Sequence, residues 1–171
     1  MFFVVLAIFA SLVYTVADSS TTGNECLAKA KQYENEENQT KANSLYQKAC
    51  DLNEGTGCTI LGYNYKYGLG LSKDINKANS LLEKGCELNV GLACSNLGLN
   101  YENGNYVSKD ITKANALFKE ACELGDGGGC WKLGLNYEYG RGVTKDISKA
   151  NYLFQKACKL GYKNSCNRSK K

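Results

Sequence analysis

Two patterns of apolar positions alternate along the chain, and both have helical spacing. Residues 58–67 carry apolar or small residues three and four positions apart, at Leu61, Gly62 and Tyr65. This spacing predicts a helix with one buried stripe. A second predicted helix follows it, with its own apolar face made of Ala78, Leu81 and Leu82. The pattern therefore predicts a helical hairpin.

The hairpin recurs with a period of 36 residues. The second-helix block begins Lys-Asp-Ile at residues 73, 109 and 145 and continues Lys-Ala-Asn at residues 77, 113 and 149. The first-helix block appears as Leu61-Gly62-Tyr63-Asn64-Tyr65, Leu97-Gly98-Leu99-Asn100-Tyr101 and Leu133-Gly134-Leu135-Asn136-Tyr137. A period of this length with two helices per unit predicts an all-α solenoid of stacked hairpins, which we expect to be right-handed.

Polar residues and glycines mark the ends of the predicted helices. The second helix starts at Asp74, Asp110 or Asp146, whose carboxylate can accept the free amides of the first turn. It stops at positions held by the residue types that best tolerate the left-handed conformation, namely Asn53, Asn89, Gly125 and Gly161. The first helix ends at Gly68, Gly104 and Gly140. Small residues predict a close approach of the two helices at three pairs: Gly62 with Ala78, Gly98 with Ala114, and Gly134 with Ala150.

The terminal units depart from the pattern. Lys41-Ala42-Asn43 matches the second-helix block when four residues are deleted from the inter-helix loop, and Cys26 then occupies the position of Cys94. At the other end, Cys166 is predicted to open a further helix that breaks off after five residues. We therefore predict a solenoid over residues 26–166, with repeats at about 26–55, 56–91, 92–127 and 128–163, and a basic tail at 167–171.

The N-terminal segment has the features of an export signal. An uncharged apolar run, Phe2 to Val16, precedes Ala17 and a polar stretch, which predicts a signal peptide at residues 1–17 and a polar linker at 18–25. No Lys or Arg precedes the run, so an uncleaved anchor remains the alternative. The run is short for a bilayer, which needs about 20 residues. We expect a secreted or periplasmic protein with no membrane contact after cleavage.

Cysteine usage agrees with an oxidising compartment. Four pairs share a C-x7-C spacing: Cys50 and Cys58, Cys86 and Cys94, Cys122 and Cys130, and Cys158 and Cys166. Pairing within each spacing leaves Cys26 as a free thiol, whereas pairing within a hairpin, such as Cys58 with Cys86, leaves Cys166 instead. We favour the first scheme because it includes Cys166, and the second stays open. Cys26 is then a leftover thiol or the bridge of a disulfide-linked dimer.

Composition narrows the function classes. The chain has 171 residues, of which 43% are apolar, and its net charge of +4 comes from interspersed 21 basic and 17 acidic residues. The balance gives little support to nucleic-acid binding. The chain lacks histidine and C-x2-C spacings, so neither a metal site nor any other cofactor is expected.

The repeat as a whole resembles a known family. Leu-Gly-x-x-Tyr-x-x-Gly, then Lys-Asp-x-x-Lys-Ala, then Ala-Cys-x-Leu-x-x-x-x-x-Cys is similar to the Sel1-like repeat, and the cysteine pairs narrow the resemblance to the Helicobacter cysteine-rich protein family. The resemblance implies a fold similar to tetratricopeptide-repeat proteins, export, and disulfides within each C-x7-C pair. It also implies penicillin binding with weak β-lactamase activity, and interaction with host cells.

The chain carries none of the usual β-lactamase machinery. S-x-x-K, S-D-N and K-T-G are all missing, and without histidine a zinc enzyme of that type lacks its ligands. We therefore predict a scaffold that binds a protein, a peptide or a cell-wall glycopeptide on its concave face, which first helices line in such solenoids. The alternative is a low-activity β-lactam hydrolase with β-lactams as ligands and no nominated nucleophile.

Candidate ligand contacts follow from the repeat. Three asparagines next to the predicted core tyrosines Tyr65, Tyr101 and Tyr137 would present a ladder of donors and acceptors to a ligand: Asn64, Asn100 and Asn136. Duplication together with helix solubility is the preferred explanation of that ladder, and ligand contact is the alternative. Specificity is expected where the copies differ, at Tyr67, Asn103 and Tyr139, and at Thr59, Ser95 and Trp131. The single tryptophan fits either a partner anchor or a core position.

Overall fold

The computed structural model describes residues 21–105 and 107–168. Within them lie eight α-helices of 13 residues each, followed by one turn of 3-10 helix at Lys163–Ser165. The helices are α1 (Gly23–Asn35), α2 (Gln39–Asp51), α3 (Gly55–Tyr67), α4 (Ile75–Glu87), α5 (Gly91–Asn103), α6 (Ile111–Glu123), α7 (Gly127–Tyr139) and α8 (Ile147–Lys159). The predicted signal peptide lies outside the described residues.

The helices pack as four hairpins in chain order. The main contacts within hairpins are α1 with α2, α3 with α4, α5 with α6, and α7 with α8, and the second helix of each hairpin packs on the first helix of the next. This arrangement confirms the predicted all-α solenoid, in which each unit contacts its neighbours along one axis. No helix in the described part of the chain is long and apolar enough to cross a membrane.

The predicted ends of the second helices are confirmed. Asp74, Asp110 and Asp146 each cap a helix by accepting a hydrogen bond from the backbone amide three residues later, at 2.9–3.0 Å. Just beyond the C-terminal ends of the second helices, backbone φ is positive at Asn53, Asn89, Gly125 and Gly161, with values of 62°, 62°, 86° and 87°. The αL conformation therefore stops each helix where the sequence placed Asn or Gly.

First helices begin three residues earlier than their apolar stripe suggested, at Gly55, Gly91 and Gly127. A glycine at this position of the sequence suggests a loop, but in the structure it permits close packing against the next hairpin. A Cβ atom on Gly55 would lie 2.7 Å from Val90 Cγ2, and one on Gly127 would lie 3.0 Å from Tyr162 Cβ. The ends at Gly68, Gly104 and Gly140 are confirmed.

The core runs along the stack between the helix layers. Its largest fully buried side chains include Tyr46, Phe118, Phe154 and Leu61. The predicted close approaches are present, since a Cβ on Gly62 would lie 3.1 Å from the Ala78 carbonyl oxygen.

Both terminal predictions need correction. Residues 23–25, predicted as linker, form the first turn of α1 because Thr22 and Glu25 make a capping box. At the other end Cys166 does not open a helix; it follows the 3-10 turn. Arg168, the described basic residue of the predicted tail, has its Nη2 atom 2.7 Å from Glu138 Oε2 in the preceding repeat.

Three disulfides join consecutive hairpins, and a fourth joins the last hairpin to the segment after the 3-10 turn. The bonded pairs are Cys50 with Cys58, Cys86 with Cys94, Cys122 with Cys130, and Cys158 with Cys166, with Cα–Cα distances of 4.5–4.8 Å. Each of the first three connects a second helix to the first helix of the next hairpin across the short connector. The alternative pairing within a hairpin is not the one that forms.

Candidate interaction surface

The recurrent asparagines are not a ligand ladder. Asn64, Asn100 and Asn136 are 3%, 3% and 0% exposed. The Nδ2 of each donates at 2.6 Å to the Oδ1 of an asparagine in the preceding second helix: Asn43, Asn79 or Asn115. Because a buried amide needs a partner, these pairs hold adjacent hairpins in register and cannot face a ligand.

The partner asparagines also reach the loops. Asn43 Nδ2 donates to the Leu69 carbonyl oxygen at 2.7 Å, and Asn115 Nδ2 donates to the Arg141 carbonyl oxygen at 2.8 Å. Sequence reasoning missed this role, although the third residue of the recurrent Lys-Ala-Asn block marked it.

The lysine of the same block covers the recurrent tyrosine. Lys77, Lys113 and Lys149 place Nζ 4.5, 4.3 and 4.3 Å from the ring centres of Tyr65, Tyr101 and Tyr137. These tyrosines are half-buried, so their expected place in the core is only partly right. The Tyr101 hydroxyl accepts a hydrogen bond from Lys113 and raises the pKa of that ammonium group. The pairs are cation–π contacts that stabilise the fold locally.

Of the variable first-helix positions, one set is largely internal. Thr59 and Ser95 are 5% and 7% exposed, and their hydroxyls donate to backbone carbonyls of their own helices. Their hydroxyl hydrogens are therefore not free to donate to a ligand. Trp131, at the equivalent position, is half-buried, with its ring centre 5.0 Å from that of Phe154. The guanidinium of Arg168 lies 5.6 Å from the Trp131 ring centre.

The other variable set is on the surface. Tyr67 and Tyr139 are 54% and 56% exposed, and Asn103 is also exposed. The Tyr67 ring lies 4.4 Å from that of Tyr63, which is itself half exposed. The two rings form an exposed aromatic pair on α3.

Tyr63 of this aromatic pair lines a cleft between the second and third repeats. We call it the first-helix cleft; it has a volume of about 140 Å3 and is lined by Thr59, Ile60, Tyr63, Lys66, Leu82, Leu92 and Asn96. Most of these residues lie on α3 and α5, and Leu82 belongs to α4. The lining is almost entirely apolar, and Leu92 is 56% exposed at its edge. The cleft can therefore accept an apolar side chain from outside.

Ion pairs occupy the corresponding place in the next two repeats. Lys132 Nζ lies 2.6 Å from Glu102 Oε2, and one period later Arg168 Nη2 lies 2.7 Å from Glu138 Oε2. One period earlier the same positions hold Lys66 and Asn96. The first-helix cleft thus has a cation where the other repeats have a carboxylate.

Cys26 is the free cysteine among the described residues, and it is 1% exposed. This burial argues against the predicted Cys26-linked dimer, because a second chain cannot reach the thiol unless α1 moves. The described residues that lie close enough to share a metal are Cys86, Cys94 and Glu120. The sulfur atoms of Cys86 and Cys94 are bonded to each other and cannot act as thiolate ligands.

The fold and the disulfides define a helical-repeat protein whose neighbouring hairpins are covalently joined. The model of the Sel1 repeat matches residues 29–54, 56–90, 91–126 and 128–162, and the chain therefore belongs to the Sel1 repeat family. This confirms the resemblance found in the sequence. None of the curated proteins compared with the chain matches it.

Solved structures give the same assignment. Helicobacter pylori cysteine rich protein B is 40% identical over 86% of this chain and 97% of that chain, with a TM-score of 0.59. A Sel1 repeat protein from Oxalobacter formigenes is 28% identical over 86% of this chain, with a TM-score of 0.79. A protective antigen of uropathogenic Escherichia coli is 26% identical over 92%, also with a TM-score of 0.79. The chain spans only 62% and 34% of the last two proteins.

Proposed function

We propose that this protein is an exported interaction scaffold that binds a protein or peptide on the face formed by its first helices. The carrying observation is the first-helix cleft, an apolar recess lined by the half-exposed Tyr63, whose ring lies beside the exposed ring of Tyr67. Sel1 repeat proteins generally mediate protein interactions. A bound segment would bury apolar surface that the monomer leaves in water.

The roles of the recurrent polar side chains support binding over catalysis. The recurrent asparagines and lysines serve the fold: the buried asparagine pairs join hairpins, and the exposed lysines of the same block cover tyrosines. The first-helix cleft adds an apolar and aromatic surface, which suits recognition of a partner. Hydrolysis of β-lactams stays a prediction from the resemblance, and a cell-wall glycopeptide stays an alternative ligand.

Four disulfides support the proposal that the protein works outside the cytoplasm, in the periplasm or as a secreted protein. We expect the signal peptide at residues 1–17 to be removed. Mass spectrometry of the protein exported by its own cells should then give an N-terminus at Asp18. An intact Met1 would contradict cleavage.

Site-specific photo-crosslinking tests the binding face. A photoreactive phenylalanine analogue replaces Tyr63 on α3 in one variant and Tyr152 on α8, a second helix, in the other. The two tyrosines are a matched pair, at 50% and 64% exposed. We expect a discrete adduct with a partner from position 63 and none from position 152 in the cells that make the protein. Equal adducts at both positions, or none at 63, would refute the proposed face.

A further inference from the structure

The repeats can be compared position by position, because they are related by a fixed period. Thr59 corresponds to Trp131, and Leu82 corresponds to Phe154. In the last hairpin the Trp131 ring packs at 5.0 Å on the Phe154 ring. In the second hairpin both aromatic rings are missing, and the first-helix cleft opens beside the smaller Thr59 and Leu82. The chain itself therefore shows that an aromatic ring can occupy this position.

The charges of the side chains also differ between equivalent positions of the repeats. Glu102 and Glu138 pair with Lys132 and Arg168 between successive first-helix positions. In the cleft the carboxylate position is held by Lys66 and the cation position by Asn96. The contact that the structure gives the Lys66 ammonium group is with the ring of Tyr67, at 5.5 Å. A carboxylate from outside would give Lys66 the kind of partner that Lys132 and Arg168 have within the chain.

We propose that the first-helix cleft binds a peptide segment of a partner protein that carries an aromatic side chain and, within reach of Lys66, an acidic side chain. The aromatic ring takes the place that Trp131 fills in the last hairpin, and the acidic group replaces the glutamate that the other repeats supply. This inference rests on the proposed function and names its ligand class. The carboxylate is assigned to Asp or Glu, since glutamate side chains make both internal pairs.

The test uses the oxidised protein and a defined probe, acetyl-Ser-Trp-Ser-Glu-Glu-amide. Two companion peptides replace Trp by Ala or both Glu residues by Gln, and a third carries the carboxylate only at a free C-terminus. Binding is followed by nuclear magnetic resonance shifts of backbone amides. We expect saturable shifts centred on α3 and α5, with a Kd of about 0.1–1 mM for so small a contact. Gln peptides should bind about 3–5-fold more weakly, and Ala peptides at least about 10-fold more weakly. Equal binding of the C-terminal carboxylate peptide would contradict the assignment to a side chain.

Two variants locate the site. Leu82→Phe installs the residue present at Phe118 and Phe154 and should fill the cleft, weakening binding at least about 5-fold. Lys66→Glu installs the residue present at Glu102 and Glu138 and should abolish the preference for Glu over Gln peptides. Lys29→Glu, an exposed position on α1, makes the same charge change elsewhere and should leave that preference intact.

Lys66 is only half-buried, and Glu is the residue that later repeats hold at this position, so the test does not depend on Leu82→Phe folding. Absence of saturable shifts, or binding that neither variant alters, would overturn the proposal. If the adduct at position 63 persists in that case, the first-helix face still binds a partner and only the ligand class is wrong.

Discussion

Substitution of Asn64 by alanine separates the structural role of the asparagine pairs from a role in binding. The change removes the 2.6 Å hydrogen bond to Asn43 and leaves the Asn43 Oδ1 atom without that donor in a position only 6% exposed. A lost hydrogen bond accounts for about 1 kcal/mol, and the buried Asn43 Oδ1, which keeps only the long 3.5 Å hydrogen bond from Gln39 Nε2, adds about 1–2 kcal/mol. We therefore expect Asn64→Ala to lower the free energy of unfolding by about 2–3 kcal/mol.

The measurement is equilibrium unfolding in denaturant, followed by circular dichroism with the disulfides intact. Asn103→Ala is the matched control, because Asn103 is exposed on the following first helix and should change stability by less than about 0.5 kcal/mol. In a double-mutant cycle with Asn43→Ala, the two effects should fall short of additivity by about 1 kcal/mol or more. If Asn64→Ala behaved like Asn103→Ala, or the two effects were additive, the pair would not hold the hairpins together.

Three further changes test the packing. Tyr46→Phe should leave the free energy of unfolding unchanged or raise it by up to about 1 kcal/mol, because the buried hydroxyl has no hydrogen-bond partner among the described residues. Burial, followed by the neighbouring Glu34 carboxylate, raises the pKa of Tyr46 above 10.0, so the unfolded phenol ionises first. The native protein should therefore lose stability in denaturant titrations above pH 10, and Tyr46→Phe should lose less; an identical pH profile would contradict this reasoning. Gly134→Ala would place a Cβ atom 2.7 Å from Phe154 Cε1 and should cost about 1–2 kcal/mol in thermal or chemical unfolding, despite alanine's better helix propensity. Replacing Cys122 and Cys130 together by alanine opens a loop of eight residues and should cost about 2.5 kcal/mol, whereas a loss below about 0.5 kcal/mol would show that the connector is already fixed without the bond.

The period, the helix pairing and most helix ends were predictable because local chemistry determines them. Asp at the second-helix start and Asn or Gly past its end act within a single turn, so each copy of the repeat carries the same evidence. The start of the first helix was not predictable in this way. Gly55 and its equivalents are required by contact with the next hairpin, and the sequence shows only a residue common in loops.

The candidate site was predicted less well, because recurrence does not reveal which face of a helix meets solvent. Asn64 recurs with the buried stripe and is itself buried, since a partner 21 residues earlier satisfies it. The exposed positions Tyr67 and Tyr139 were identified because they vary between copies. The cleft arises from substitutions relative to later copies, such as Leu82 for Phe154, and it became evident only when the packing of the last hairpin was known.

The position of the disulfides gives the chain a defined response to mechanical force. Each of the first three bonds clamps the connector between two hairpins, and the chain from Cys58 to Cys86 within a hairpin, a separation of 28 residues, is free to extend. Stretching the oxidised protein should release roughly 95 Å of contour length per opened hairpin. With the bonds reduced, the full 36-residue period extends and each step lengthens to roughly 120 Å. In the oxidised protein each opened hairpin therefore adds the same contour length, and reduction of the disulfides increases that length.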